Sequence, residues 1–150
     1  MKEINKEAIK NSERYIAEPK MTKEMLNLAL NDALKKIDKL WDDLNGNSAS
    51  SASTNNVYVG TEIYPHGGWN HGFTPGLLWL AYEATGDEKY KERAMSYIDV
   101  LHRKIRDKSE VNHHDMGFLY IPSCVASYKL AGCQQGKEAA TKAADHLLTR

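Results

Sequence analysis

The chain has 150 residues, with 20 Lys+Arg against 20 Asp+Glu, 41% hydrophobic residues and a formal charge of zero. That length fits one domain, and the charge balance excludes acidic disorder and leaves no basic face for nucleic acid. No apolar run nears the ~20 residues that span a bilayer. The amino terminus also lacks the apolar stretch of a signal peptide, so no membrane association is expected. Cys124 and Cys133 are too few for a disulfide framework and lack CxxC spacing; small, buried, free thiols in a reducing cytoplasm are the expectation.

Residues 1–21 are polar, hold Pro19 and read as an irregular arm or a short edge helix. Thr22 suits an N-cap, and Leu26, Leu30, Leu34, Ile37, Trp41 and Leu44 then recur at steps of three and four, which predicts one amphipathic helix ending at Asn45-Gly46. Residues 45–56, NGNSASSASTNN, hold no large apolar residue and read as a surface loop or mobile linker. Residues 57–73 are rich in Gly and aromatics and read as extended and loop-like. Pro75 opens a helix that Gly86 ends. Asp87 caps the next helix, with Tyr90, Ala94, Ile98, Leu101 and Ile105 on its inner face. A further helix starts near Gly117 or Pro122 and ends at Gly132. The last, from about Lys137, aligns Ala140, Ala144 and Leu147.

The chain repeats itself. Gly86 and Gly132 each end a helix, 46 residues apart, and Gly72-Phe73 and Gly117-Phe118 each follow a polar loop, 45 apart. A unit of loop, helix, tight turn and helix with a period in the 40s predicts stacked αα-hairpins, as an open solenoid or a closed α/α toroid. Equivalent loops then fall at one end, so Trp69-Asn70-His71 and His113-His114-Asp115 are expected on a shared rim.

The second loop concentrates chemistry: Asn112, His113, His114, Asp115 and Met116, running into Gly117, Phe118, Leu119 and Tyr120. Asp115 reads either as a helix N-cap among surface histidines or as a general acid/base whose pKa apolar neighbours raise. Consecutive ligands diverge and no HxxxH or HExxH spacing occurs, so no metal is expected. The first loop offers Trp69, His71 and Phe73, either as core packing or as a platform for the C–H face of a sugar. No phosphate loop or nucleophile elbow is present.

The strings GFTPGLLWLAYEATGDEKY (72–90), HHDMGFLYIPSCVASYKLAG (113–132) and KAADHLLTR (142–150) resemble the unsaturated glucuronyl hydrolases, glycoside hydrolase family 88. SERYIAEPKMTKE resembles the leader of Gram-positive members. The resemblance implies an all-α fold of αα-hairpin repeats forming part of an (α/α)6 barrel, with residues 1–150 as the amino-terminal part of a single catalytic domain. It implies a substrate, an oligosaccharide with a C4=C5 unsaturated glucuronic acid at its non-reducing end, and no cofactor. By the same resemblance Asp115 matches the first of two family aspartates, His114 the neighbouring histidine of the sugar site, and Trp69 the aromatic lining the pocket. His71 and Thr74 stand where the family usually has an acid or amide and a large aromatic, which implies an altered pocket. The second aspartate lies downstream in the family, so these 150 residues alone are expected to show negligible hydrolysis. Two other readings accompany this one: a non-catalytic α-helical repeat module for binding or scaffolding, and an inactive remnant that still holds sugar through Trp69.

Overall fold

The computed structural model describes Ala8, residues 10–17 and residues 20–150. Part of the expected arm over 1–21, Pro19 included, lies outside the described residues. The chain divides into two compact units, Met1–Asp32 and Ala33–Arg150. The first holds the short helix α1 (Glu13–Ile16) and the start of α2 (Lys23–Leu44). Thr22 caps α2 as its position predicts: its hydroxyl accepts from the Met25 amide at 3.1 Å. Leu26 and Leu30, the leading members of the expected apolar face, belong to this first unit.

In the second unit the end of α2 packs Leu34, Ile37 and Trp41 against the core and buries Leu44. Asp38, on the flank, accepts from Arg93 Nη1 at 2.6 Å, Lys89 Nζ at 3.1 Å and the Tyr90 hydroxyl at 3.2 Å. These pairs are a third exposed, so they add register more than stability.

The run over 45–56 carries more structure than a linker. Ser48–Ala49 (β1) pairs antiparallel with Gly60–Thr61 (β2), in the register Ser48 to Thr61 and Ala49 to Gly60. At the tip, Thr54 and Val57 exchange backbone hydrogen bonds of 2.9 and 3.0 Å across Asn55-Asn56, and both asparagines have positive φ. Two positive-φ residues suit a type I′ hairpin turn, and Asn tolerates that conformation. The signal is local turn chemistry, which a count of apolar residues does not see.

Helices follow in hairpins. The helix α3 (Phe73–Thr85) turns at Gly86 onto α4 (Glu88–Met95), which a turn at Ser96-Tyr97 separates from α5 (Ile98–Arg106). The sequence predicts one helix from Asp87 through Ile105; the structure breaks it, yet Tyr90, Ala94, Ile98, Leu101 and Ile105 are all buried as expected. In the second unit of the repeat, α6 (Met116–Tyr120), a π-helical turn (Ile121–Val125) and α7 (Ala126–Ala131) run to Gly132, and α8 (Gln134–Leu148) returns. Gly86 and Gly132 are both left-handed, with φ of 69° and 66°, and donate to the carbonyls of Tyr82 and Tyr128. The residues after them are both caps: Asp87 accepts from the Lys89 amide and Cys133 Sγ from that of Gly136. The repeat is therefore real at the level of turn and cap.

The core centres on Leu78, Trp79, Tyr97, Ile98, Leu101, Met116 and Leu119, each worth about 1.5–3 kcal/mol of burial. Cys124 and Cys133 are free thiols, and burial pushes Cys124 up to about 12, leaving it inert. No helix among the described residues is long and apolar enough to cross a membrane.

The two loop–helix junctions touch at Gly72. A Cβ there would collide with the carbonyl oxygens of Phe118 and Leu119. Backbone cannot rotate aside as a side chain can, so Gly72→Ala is expected to cost about 3 kcal/mol. A urea melt should show the midpoint fall with little change in slope.

Candidate active site

The first loop delivers Trp69, 44% exposed, just before α3. Its neighbours are fixed from behind. Asn70 is buried and its Nδ2 donates to the Ala49 carbonyl of β1 at 3.0 Å. Thr74 is buried too, its hydroxyl 3.2 Å from Ser48 Oγ and accepting from the Ala49 amide at 3.1 Å. The β-hairpin is thus the backing plate of the Trp69 loop.

The second loop delivers Asp115 at the start of α6, with φ −83° and ψ 12°, in the bridge region that many active-site residues occupy. It sits at the N-cap position, but its carboxylate makes no cap hydrogen bond. Instead, Oδ1 lies 3.3 Å from His114 Nε2, and Oδ2 lies 3.8 Å from His113 Nδ1. His113 Nδ1 accepts from the Asp115 amide at 3.2 Å, so its proton belongs on Nε2, 3.2 Å from the Glu110 carbonyl. His113 therefore braces the loop, while the exposed His114 is the histidine free to orient the carboxylate.

The loops meet through aromatic rings. Trp69 stands edge-on to Phe73 and to Phe118, with centroids 5.9 and 5.8 Å apart, and Phe73 and Phe118 are 5.5 Å apart. All three rings remain 41–48% exposed. Phe73 and Phe118 then line an open hollow of about 370 Å³ together with His114, Asp115, Ile121 and Pro122. Asp115 is the only carboxylate lining it among the described residues. A second apolar groove of similar size continues past Phe73 along Leu77, Leu80, Ala126 and Leu130, with Glu83 at its edge. Among the described residues no group of three or more His, Cys, Asp and Glu could hold a metal ion.

The sequence places Phe118 in the second loop without a role at the site, although it is the repeat counterpart of Phe73, 45 residues on. His71 and Thr74 behave otherwise than the sequence suggests. Both are buried and bond to the hairpin side of the loop, behind Trp69 rather than in the hollow. His71 Nε2 accepts from the Gly68 amide at 3.1 Å and lies 3.1 Å from Thr61 Oγ1. A backbone amide can only donate, so the imidazole proton is on Nδ1. That nitrogen and Lys104 Nζ both lie 2.9 Å from where a Gly67 Cβ would stand.

Burial, and then the Lys104 charge, push His71 down to about 4. The fold thus favours the neutral ring. An unfolded histidine titrates near 6.5, so the stability from His71 is complete above that pH and is lost as pH falls toward 4. Chemical denaturation of the natural chain and of His71→Gln should diverge over this window. Their difference in unfolding free energy should change by about 3 kcal/mol.

No protein-family model matches the chain. It is 35% identical over its whole length to an unsaturated chondroitin disaccharide hydrolase from Streptococcus pneumoniae, and 38% identical to one from Streptococcus pyogenes, in each case covering 37% of the relative. Among solved structures, a variant of unsaturated glucuronyl hydrolase from Streptococcus agalactiae complexed with dGlcA-GalNAc6S superposes with a TM-score of 0.85 at 35% identity, over 96% of this chain and 37% of that one. The chain therefore spans a little over a third of the length of the relatives it matches. Its helical hairpins are those of an α/α barrel. Over the stretch it matches, the chain is similar in sequence and in fold to the unsaturated glucuronyl hydrolases.

Proposed function

We propose that this chain supplies the Trp69–Asp115 side of a site that releases C4=C5 unsaturated glucuronic acid from the non-reducing end of lyase-generated oligosaccharides. The observation that carries the reading is the junction of three half-exposed rings, Trp69, Phe73 and Phe118, with Asp115, the single carboxylate of the hollow among the described residues. Aromatic faces bind the apolar C–H face of a sugar, and a few placed polar groups orient it. The relative solved with an unsaturated disaccharide supports the same substrate class.

The reacting group is a vinyl ether, not an ordinary acetal. A proton adds to C4 and leaves an oxocarbenium ion at C5. Water adds at C5 and loses its proton, giving a hemiketal. That hemiketal opens to a C5 ketone, and C1, now a hemiacetal, collapses to an aldehyde and expels the remaining sugar as an alcohol. Carboxylates can deliver and accept these protons, and His114 holds the Asp115 carboxylate from the solvent side. Delivery to C4 and activation of water are separate tasks, while the hollow offers one carboxylate among the described residues. We therefore assign Asp115 a share of the acid–base work and Trp69 and His114 the positioning of the sugar. The 150 residues alone are inactive on this reading. Two free thiols support a reducing cytoplasm as the compartment.

Adding an unsaturated chondroitin disaccharide to the purified chain should change its tryptophan fluorescence. Trp69→Ala should weaken that binding at least about tenfold, the loss of ~1.4 kcal/mol of stacking. The ultraviolet absorbance of the C4=C5 bond should persist. Turnover by the chain, abolished by Asp115→Asn, would sink the assignment of inactivity; the absence of binding would sink the site.

A further inference from the structure

The loop that presents Trp69 is held by a buried polar cluster that the reaction does not use. His71 is 2% exposed and Lys104, from α5, is fully buried. Lys104 Nζ donates to the Ile63 carbonyl at 3.3 Å, pinning the chain that leads into the loop. The Gly68 amide, one residue before Trp69, and Thr61, at the end of β2, converge on the same ring nitrogen of His71. The single Thr61 hydroxyl proton is shared between His71 Nε2 and the Ser48 carbonyl, 3.2 Å away, which ties the cluster to β1. On the other side of Trp69, Asn70 is bonded to Ala49. Trp69 is therefore an exposed ring on a backbone clamped at both neighbours, and one clamp is an imidazole.

We propose that His71 is a positioning residue: as a buried hydrogen-bond acceptor it fixes the Gly68–Asn70 backbone and so sets the attitude of Trp69 toward a bound sugar. Its catalytic relevance rests on the functional reading above; its structural action on Trp69 does not. The chemistry demanded of position 71 is narrow. The side chain needs an acceptor at the reach of Nε2 and must stay uncharged beside Lys104. Glutamine meets both demands through Oε1. Leucine fills similar space but offers the Gly68 amide nothing, and a buried amide without an acceptor costs more than a lost contact.

The chain contains three tryptophans, Trp41, Trp69 and Trp79, so labelling with 5-fluorotryptophan gives three fluorine resonances, with Trp69→Phe assigning one. In His71→Leu the Trp69 line should shift and broaden while that of Trp79, buried in the core, stays in place; His71→Gln should restore the natural spectrum. Unsaturated chondroitin disaccharide should move the Trp69 line of the natural chain and of His71→Gln, and bind His71→Leu at least about tenfold more weakly. If His71→Leu does not fold, Thr61→Val removes one partner of the same nitrogen, and a smaller displacement of the Trp69 line is expected. A Trp69 line unchanged in whichever of the two variants folds, or moved equally by leucine and glutamine, overturns the proposal. A disaccharide that leaves the natural Trp69 line unmoved overturns the sugar site alone, because the line's response to His71→Leu still decides the role of His71.

Discussion

The close approach of Gly72 to the carbonyls of Phe118 and Leu119 is the constraint on which the rest of the site depends. It joins the start of α3 to α6 with no side chain between them. Everything presented by the two loops inherits that spacing: the Phe73 and Phe118 rings meet because their backbones are held in contact, and Trp69 rests on both. A rim assembled from two loops would otherwise carry the positional spread of each. Here one backbone contact removes most of it, which suits a site where a small misplacement of an orienting group is expensive.

The π-helical turn at Ile121–Val125 belongs to the same arrangement. Pro122 has no amide hydrogen to offer the carbonyl four residues back, that of Phe118. A continuous α-helix through this point would need that bond and would keep the carbonyl inside its own ladder. The wider turn accommodates the proline, and Pro122 in turn packs against Gly76 of α3, whose Cβ would stand 2.8 Å from the proline ring. Such turns occur often at functional sites. In this chain the turn carries Pro122, which meets α3 at Gly76 and lines the hollow.

Much of this architecture is legible in the sequence because it depends on residue type and spacing. Two glycines 46 apart, each required for a left-handed helix end, fix the hairpins. Two Gly-Phe pairs 45 apart fix the rim. Less legible is what depends on direction. The break at Ser96-Tyr97 leaves the buried set of residues unchanged, so periodicity alone does not reveal it. The hairpin over 48–61 rests on Asn backbone conformations and a handful of hydrogen bonds, with almost no apolar pattern. The roles of His71 and Thr74 go unseen for the same reason: a polar side chain in a loop can face solvent or the core, and its identity does not say which.

The repeat itself contains the missing information once it is followed residue by residue. At a shift of 45, Trp69 corresponds to His114, Asn70 to Asp115, His71 to Met116 and Phe73 to Phe118. Met116 is a plain core residue, 1% exposed, and His71 in the equivalent slot is 2% exposed. The slot faces inward in both copies, and only its occupant differs. Where the second copy places a thioether against apolar neighbours, the first places an imidazole that must stay neutral and find a donor, which the Gly68 amide provides with the Thr61 hydroxyl beside it. The adjoining slot diverges in the opposite sense. Asn70 is spent on binding the hairpin, whereas Asp115 leaves its carboxylate without a cap bond and facing the hollow. One copy of the unit is thus the support and the other the carrier of charge, and the repeated backbone gives both a common frame.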